Sequence, residues 1–195
     1  MELIIVLLGV LVVIGVIWAL FLRKKDSNID ESPPTLDDVK PGGVVVVQGV
    51  EYLVEQRNRY TEAGGEWFEL KLTGDEGRTY WLDWQDRGGL NVSLTAEIPF
   101  ASLDLNPDDL ASFDDEETVS FDFDGVIYYF AASGESHMYE NDGSEREAFY
   151  YWNFEDEEHE NVINVARWSG GDYEAAIGSY VGASEVDIYS AGSSE

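Results

Sequence analysis

The alternation of apolar and polar residues between positions 67 and 84 is the feature that most constrains the fold of this chain. Two alternating runs, 67–72 and 80–84, flank a loop that contains Gly74 and Gly77, which predicts a β-hairpin. With Leu70 opposite Leu82, the period of two puts large apolar side chains on one face: Phe68, Leu70, Leu72, Tyr80, Leu82 and Trp84. That face is large enough to start a hydrophobic core.

The opposite face of the hairpin is the candidate functional or interaction face, and it carries Trp67, Glu69, Lys71, Trp81 and Asp83. In the same register Glu69 lies opposite Asp83, an unfavourable pair of like charges. Lys71 lies beside Trp81, where its ammonium can stack on the indole. Two tryptophans on a polar face indicate that other parts of the protein partly cover it.

The rest of the chain predicts a mainly β fold, either a β-sandwich or a barrel-like domain. Further strands are predicted at 44–47, 52–60, 91–96, 119–123, 126–130, 147–154, 161–168, 173–181 and 186–189. Asp124-Gly125 predicts a hairpin turn, and Asn106-Pro107 predicts the start of a short helix. The polar segment 133–144 is predicted to be a loop.

An internal similarity predicts two related β-halves, at about 41–104 and 117–190. Residues 49–54 (GVEYLV) resemble residues 125–130 (GVIYYF), and each motif is followed about twenty residues later by a glutamate, Glu69 or Glu147. Chance similarity between aromatic strands is the alternative explanation.

Acidic residues dominate the composition, with 40 Asp and Glu against 11 Lys and Arg and a net charge of −29. Such a surface repels nucleic acid, because phosphate binding depends on Lys and Arg. The acids are spread along the whole chain, which favours a protein of a salt-in halophile over one with a local acidic tail. On this interpretation the acidic loop 155–160 around His159 is a solvated loop, and its spacing matches no calcium loop.

The chain has no cysteine and only two histidines, His137 and His159. Disulfides, thiolate chemistry and most metal-site and triad templates are therefore excluded, and we predict no catalytic, cofactor-binding or metal-binding residue. The carboxyl groups of Glu69 and Asp83 resemble the paired carboxylates of acid–base and glycosidase sites. Aromatic residues that could line a ligand groove are Trp67, Trp81, Trp84, Tyr151, Trp152 and Trp168.

The N-terminal segment predicts a membrane anchor. Leu3 to Leu22 has no charged side chain and is long enough, as a helix, to cross a bilayer. The basic run 23–25 follows it, which predicts an external N-terminus and a cytoplasmic domain at the cell membrane. The glycosylation sequon at Asn91 instead favours an external domain, because glycosylation requires that the domain lie outside the cell. We expect an anchor at 1–25, a linker at 26–40, the β-rich domain at 41–190 and a tail at 191–195.

An ordered series of aromatic residues and glycines runs through the domain: Lys40-Pro41-Gly42, Tyr60, Gly64-Gly65, Trp67, Glu69, Leu72, Gly77, Trp81-Leu82, Arg167-Trp168, Glu174, Gly178, Tyr180-Val181 and Glu185-Val186. This series resembles the domain-of-unknown-function 4178 family, DUF4178, over residues 40–189. Members commonly have a glutamate before the Arg-Trp pair, where this chain has Ala166. The resemblance implies a bacterial and archaeal β-domain, often membrane-associated, with no assigned activity.

Two functions of different class follow. The first is a membrane-anchored, non-catalytic scaffold that binds a membrane or membrane-associated protein at the cytoplasmic face, in a membrane-stress context. The alternative is a small-ligand receptor or hydrolase-type enzyme that uses the aromatic and carboxylate face of the hairpin. A deep pocket containing Glu69 with a raised pKa would favour the alternative.

The charge also predicts that folding depends on salt. Repulsion between carboxylates acts over about 10 Å in 0.1 M salt but only about 3 Å at 1 M. Glu69, Asp83 and the run 155–158 are expected to have raised pKa values in low salt, because the sheet forces like charges together. Thermal melts of the fragment from Asp26 onward should give a higher midpoint in 2 M KCl than in 0.1 M KCl. Equal midpoints would contradict the halophile interpretation.

Overall fold

The computed structural model describes residues 34–86, 89–114 and 119–192. The predicted membrane span 3–22, the basic run after it, most of the linker and most of the tail lie outside the described residues. A search of the described part of the chain finds no helix that is both long enough and apolar enough to span a membrane.

The described residues form mostly β-strands, with one α-helix and short 3₁₀ turns. The strands are β1 (Val44–Val47), β2 (Val50–Glu62), β3 (Gly65–Thr73), β4 (Thr79–Asp86), β5 (Leu90–Ile98), β6 (Ser120–Phe123), β7 (Val126–Glu140), β8 (Glu147–Glu155), β9 (Asn161–Trp168), β10 (Tyr173–Val181) and β11 (Val186–Ser190). The helix α1 is Pro107–Phe113, and the 3₁₀ turns are Leu36–Asp38, Asp75–Gly77, Phe100–Leu103 and Ala183–Glu185. The mainly β prediction is confirmed.

All eleven strands belong to one antiparallel sheet, in the order β11-β1-β2-β3-β4-β5-β10-β9-β8-β7-β6. A further pairing joins β2 to β7, so the eight strands from β2 round to β7 form a closed circuit, called here the ring. Of the two predicted arrangements, this is the barrel-like one. The strands β1, β11 and β6 lie outside the ring.

The central hairpin has the predicted register. In β3 and β4, Leu70 is opposite Leu82, Glu69 is opposite Asp83 and Lys71 is opposite Trp81. The apolar face of the hairpin points out of the ring, where Leu70, Leu72 and Leu82 are completely buried. Its polar face points into the ring.

Two hydrophobic clusters therefore lie on the outer surface of the ring, one on each half. The first outer cluster packs Leu70 and Leu82 against β1, β11 and the turn that holds Leu36. Leu36 and Val39 are buried there, although both fall in the predicted linker 26–40. The second outer cluster contains Leu103, Leu110, Phe113, Tyr128, Trp152, Phe154, Ile163, Val165 and Ala175. In it α1 covers the outer face of the second half.

Sequence explains why α1 begins where it does. Asn106 is the N-cap residue, and its side-chain oxygen accepts hydrogen bonds from the backbone N–H groups of Asp108 and Asp109. Pro107 takes the first helical position, where no backbone N–H is needed. Leu110 and Phe113 then face the second outer cluster.

The strands β1–β5 and β6–β10 follow the same path. Each half opens with a two-residue turn in the left-handed region, at Gln48-Gly49 and at Asp124-Gly125. Each then has a bulge in its long strand, between Val54 and Gln56 and between Phe130 and Ala132. The similar motifs 49–54 and 125–130 thus hold equivalent places. The second part of the predicted repeat does not, because register makes Glu69 equivalent to Tyr151 and not to Glu147.

The predicted loop at 133–144 is wrong, because β7 continues to Glu140. Its polar residues are compatible with a strand since they pair with β8 and then with β2: Ser133 with Trp152, His137 with Ala148, and Tyr139 with Arg59. The residues of this segment are polar because they lie in a strand of the ring and at the place where β7 pairs with β2.

Gly178 allows β10 to approach β5 closely. A Cβ atom at this position would lie 1.9 Å from the carbonyl oxygen of Leu94 and 2.6 Å from Cα of Thr95, both backbone atoms. We expect Gly178→Ala to lower the free energy of unfolding by about 3 kcal/mol or more, measured by chemical denaturation.

Gly89→Ala is the matched control, because a Cβ atom at Gly89 would meet no atom within 4 Å. It should change the free energy of unfolding by less than about 1 kcal/mol. Equal effects of the two substitutions would contradict the close approach of β10 and β5.

Candidate functional site

The inside of the ring is a cavity of about 1200 Å³, called here the lumen. All eight strands of the ring contribute to its wall, and contacts cross it between strands that are not paired. Tyr60 on β2 contacts Phe149 on β8, and the Tyr151 hydroxyl on β8 donates a 2.8 Å hydrogen bond to Glu62 on β2. The predicted face of the hairpin lies in this wall, since Trp67, Glu69, Lys71, Trp81 and Asp83 all line the lumen.

Glu69 is held in one orientation by β2. Its Oε1 accepts a 2.7 Å hydrogen bond from the Tyr60 hydroxyl and a 2.9 Å hydrogen bond from Asn58 Nδ2. Asp83 is its direct cross-strand neighbour on β4. Two ionised carboxylates in this register repel each other, which favours a state of the pair with a proton bound.

Burial dominates the acidity of this pair. Desolvation raises the pKa of Glu69 to about 7, against the hydrogen bonds from Tyr60 and Asn58, which lower it. Glu174 on β10 adds negative charge, and Lys71 partly offsets it. The pKa of Asp83 lies well above its ordinary value, because of burial first and the charge of Glu69 second. The pair therefore keeps a proton in the pH range where isolated carboxyls have lost theirs.

Aromatic rings form much of the remaining wall. Trp67 stacks on Tyr60 with 5.1 Å between the ring centroids, and Tyr151 meets the edge of Trp67 at 6.0 Å. The Lys71 ammonium lies 5.5 Å from the centroid of Trp81, which confirms the predicted stacking. Trp168 also lines the lumen.

Two of the predicted groove aromatics belong elsewhere. Trp152 is buried in the second outer cluster. Trp84 packs in the first outer cluster and reaches the edge of the lumen wall, and its indole N–H donates a 3.1 Å hydrogen bond to Asp37. Alternation along β4 and β8 separates them from Trp81 and Tyr151, which face the lumen.

Sequence reasoning missed the residues that other strands bring to the carboxyl pair: Asn58, Tyr60, Thr95 and Glu174. Tyr60 and Glu174 belong to the motif series, but nothing local places them beside Glu69. Period-two alternation along β2, read from Tyr60 to Asn58, assigns both residues to one face. Only the strand pairing tells which face is the inner one.

Asp156, in the acidic loop 155–160, differs from Glu69 and Asp83 because its pKa is lowered. Burial alone would raise the pKa of Asp156, but hydrogen bonds from the Asn161 side chain and from the backbone N–H groups of Asn161 and Glu160 lower it. The prediction of a raised pKa is therefore wrong for Asp156. Within the described ranges, no three His, Asp or Glu side chains are grouped so as to hold a metal ion.

The raised pKa values predict a pH dependence of stability. The folded protein keeps a proton that the unfolded chain releases, so the stabilisation is complete below roughly pH 4 and is lost as pH rises through about 7. In 2 M KCl, Asp83→Asn should reduce this loss between pH 5 and pH 8 by about 1–3 kcal/mol, measured by denaturant unfolding. The exposed Asp86→Asn on the same strand is the control and should behave as the unsubstituted protein. A pH profile unchanged by Asp83→Asn would show that the pKa of Asp83 is not raised in the folded protein.

In comparison with known proteins, residues 40–183 match the family model described as Domain of unknown function (DUF4178). No curated protein and no solved structure matches the chain. The matched region contains β1 to β10, and with them the whole ring and every lumen residue named above. The chain belongs to the DUF4178 family.

Proposed function

We propose that this protein is a receptor for a small organic ligand, which binds in the lumen. The observation that carries the proposal is the position of the carboxyl pair. Glu69 and Asp83 lie in the wall of a cavity of about 1200 Å³, where desolvation raises the pKa of both groups. Cavities with a few convergent polar groups and perturbed pKa values are typical of ligand sites.

The distribution of apolar side chains supports the same function. Rings of eight strands are either filled by side chains or hold one small ligand. Here the completely buried leucines lie in the clusters outside the ring, at Leu70, Leu72, Leu82 and Leu110, and the inner wall is polar and aromatic. A fold that needed only stability would gain more from apolar side chains inside the ring.

A hydrolase of the glycosidase type is the less favoured candidate. Such enzymes hold their two carboxyl groups roughly 5 Å or more apart, to leave room for the sugar or a water. Glu69 and Asp83 are direct cross-strand neighbours, and the Cβ atoms of such neighbours are typically about 4.5–5.5 Å apart, at the short end of that range. The pair is therefore suited to accepting a hydrogen-bond donor or a positive charge.

The other sequence-based interpretations stay predictions. They are the membrane anchor, the cytoplasmic position of the domain, the halophilic origin and the role as a scaffold for a membrane protein. A receptor held at the membrane by residues 3–22 is compatible with ligand binding in the lumen, because the ring is complete within residues 50–181.

The test is to fill the lumen. Ala166 lies in its wall between Tyr151 and Glu174, so Ala166→Trp should occupy the space that a ligand needs. A library of small metabolites, screened by thermal shift against the full chain, should contain compounds that raise the melting temperature. That rise should disappear in Ala166→Trp.

Ala148→Trp is the control, since Ala148 is exposed and lies outside the lumen wall on β8. It should leave the ligand-induced rise unchanged. A library without any stabilising compound, or stabilisation that survives Ala166→Trp, would contradict the proposed function.

A further inference from the structure

The lumen has a strong excess of negative charge. Its wall contains eight carboxyl side chains: Glu62, Glu69, Asp83, Glu97, Glu147, Glu155, Asp172 and Glu174. Against them, the described lining includes one lysine, Lys71, and one histidine, His159. A positively charged ligand is therefore favoured over a neutral or negative one of the same shape.

The carboxyl pair offers a fixed acceptor for such a ligand. Asn58 and Tyr60 both bond to Oε1 of Glu69, so they set the position of the carboxylate. Asp83 approaches from β4, and Glu174 adds its charge from β10. The cation that faces the pair from the same strand, Lys71, lies over the ring of Trp81.

The aromatic wall suits an organic cation. The faces of tryptophan and tyrosine rings attract ammonium groups, most strongly when water is excluded. Trp67, Tyr60 and Tyr151 form a contiguous set of rings beside Glu69. An inorganic cation would instead need a cage of oxygen ligands.

Thr95 supplies an independent indication of a ligand. Its side chain lines the lumen on β5, opposite Trp81 and diagonal to Asp83. Only 1% of Thr95 is exposed, and within the described structure its hydroxyl oxygen has no hydrogen-bond partner. A buried hydroxyl without a partner is costly, and an N–H donor from a ligand would satisfy it.

We propose that the ligand of the lumen is an organic cation with a primary ammonium group, which donates hydrogen bonds to Glu69 and Thr95. This inference rests on the proposed function and names its ligand class. A carboxyl group of the pair that is protonated before binding releases its proton to solvent, and no bond of the ligand is broken. The two carboxylates then share the positive charge of the ammonium group.

Binding should depend on pH. The groups that face the pair are Tyr60 and Asn58 from β2, Lys71 from β3, Asp83 from β4 and Glu174 from β10. Below about pH 7 the pair holds its proton, which competes with the ammonium group. The affinity should therefore rise as pH increases, by about tenfold or more between pH 5 and pH 8.

The experiment compares three probes of one shape: 2-phenylethylammonium, 2-phenylethanol and 3-phenylpropionate. Each is titrated by calorimetry into the full chain in nonionic detergent and molar KCl. The ammonium compound should bind at least about tenfold more tightly than the alcohol. At pH 6 it should release a proton, detected as a dependence of the heat on the ionisation enthalpy of the buffer.

Isosteric substitutions test which residues bind the ammonium group. Glu69→Gln should weaken binding of 2-phenylethylammonium by about tenfold or more, and Thr95→Val by severalfold. Asp83→Asn should reduce the proton release and the pH dependence, because Glu69 then titrates without its carboxyl neighbour. Asp86→Asn, on the same strand and exposed, should change nothing.

The outcomes separate this inference from the function on which it rests. If the alcohol or the carboxylate binds as tightly as the ammonium compound, the lumen is a ligand site but not a cation site. The same conclusion follows if only neutral or anionic library compounds bind, and lose their effect in Ala166→Trp. If nothing binds in the lumen, both proposals fail.

Discussion

The structure depends on the pairing of β2 with β7. Four residue pairs, from Asn58 with Glu140 to Thr61 with His137, convert a long antiparallel sheet into a ring. Side chains reinforce this join: the Ser136 hydroxyl donates a 3.0 Å hydrogen bond to the Thr61 carbonyl, and Arg57 forms an ion pair with Asp142. Without it the inner face would lie open to water, and the desolvation that governs Glu69 would be lost.

Closure around a polar lumen has a cost for the rest of the chain, because the apolar faces of the strands then point outward. Each half covers its own outer face with accessory elements. In the first half these are β1, β11 and the segment with Leu36 and Val39, and in the second half they are β6 and the helix α1. Burial of each large aliphatic side chain contributes about 1.5–3 kcal/mol, so most of the hydrophobic stabilisation lies outside the ring. The apolar packing and the carboxyl pair thus lie on opposite faces of the same strands.

Much of this architecture could be predicted from local patterns. Alternation predicted both faces of the hairpin and its register, and the N-cap at Asn106 predicted α1. Local patterns cannot predict which face of a sheet becomes the inside when the sheet closes. The apolar face around Leu70 looked like the only inside, and the face with Glu69 looked like a partly covered surface. Both are correct descriptions of a strand, but only the distant pairing of β2 with β7 makes the polar face interior. The loop predicted at 133–144 failed for the same reason, since its polar residues belong to the strand that makes the closure.

The two halves share a backbone path, a turn and a bulge, yet their inward side chains differ. Register makes Glu69 equivalent to Tyr151 and Asp83 equivalent to Ala166, so the acid pair has no counterpart in the second half. The two halves therefore have similar backbones, but the side chains at equivalent inward positions differ. A ligand bound as proposed would meet acid from β3 and β4, and an aromatic ring and a methyl group at the matching places of β8 and β9. Such a ring would distinguish the two ends of its ligand, although its backbone does not.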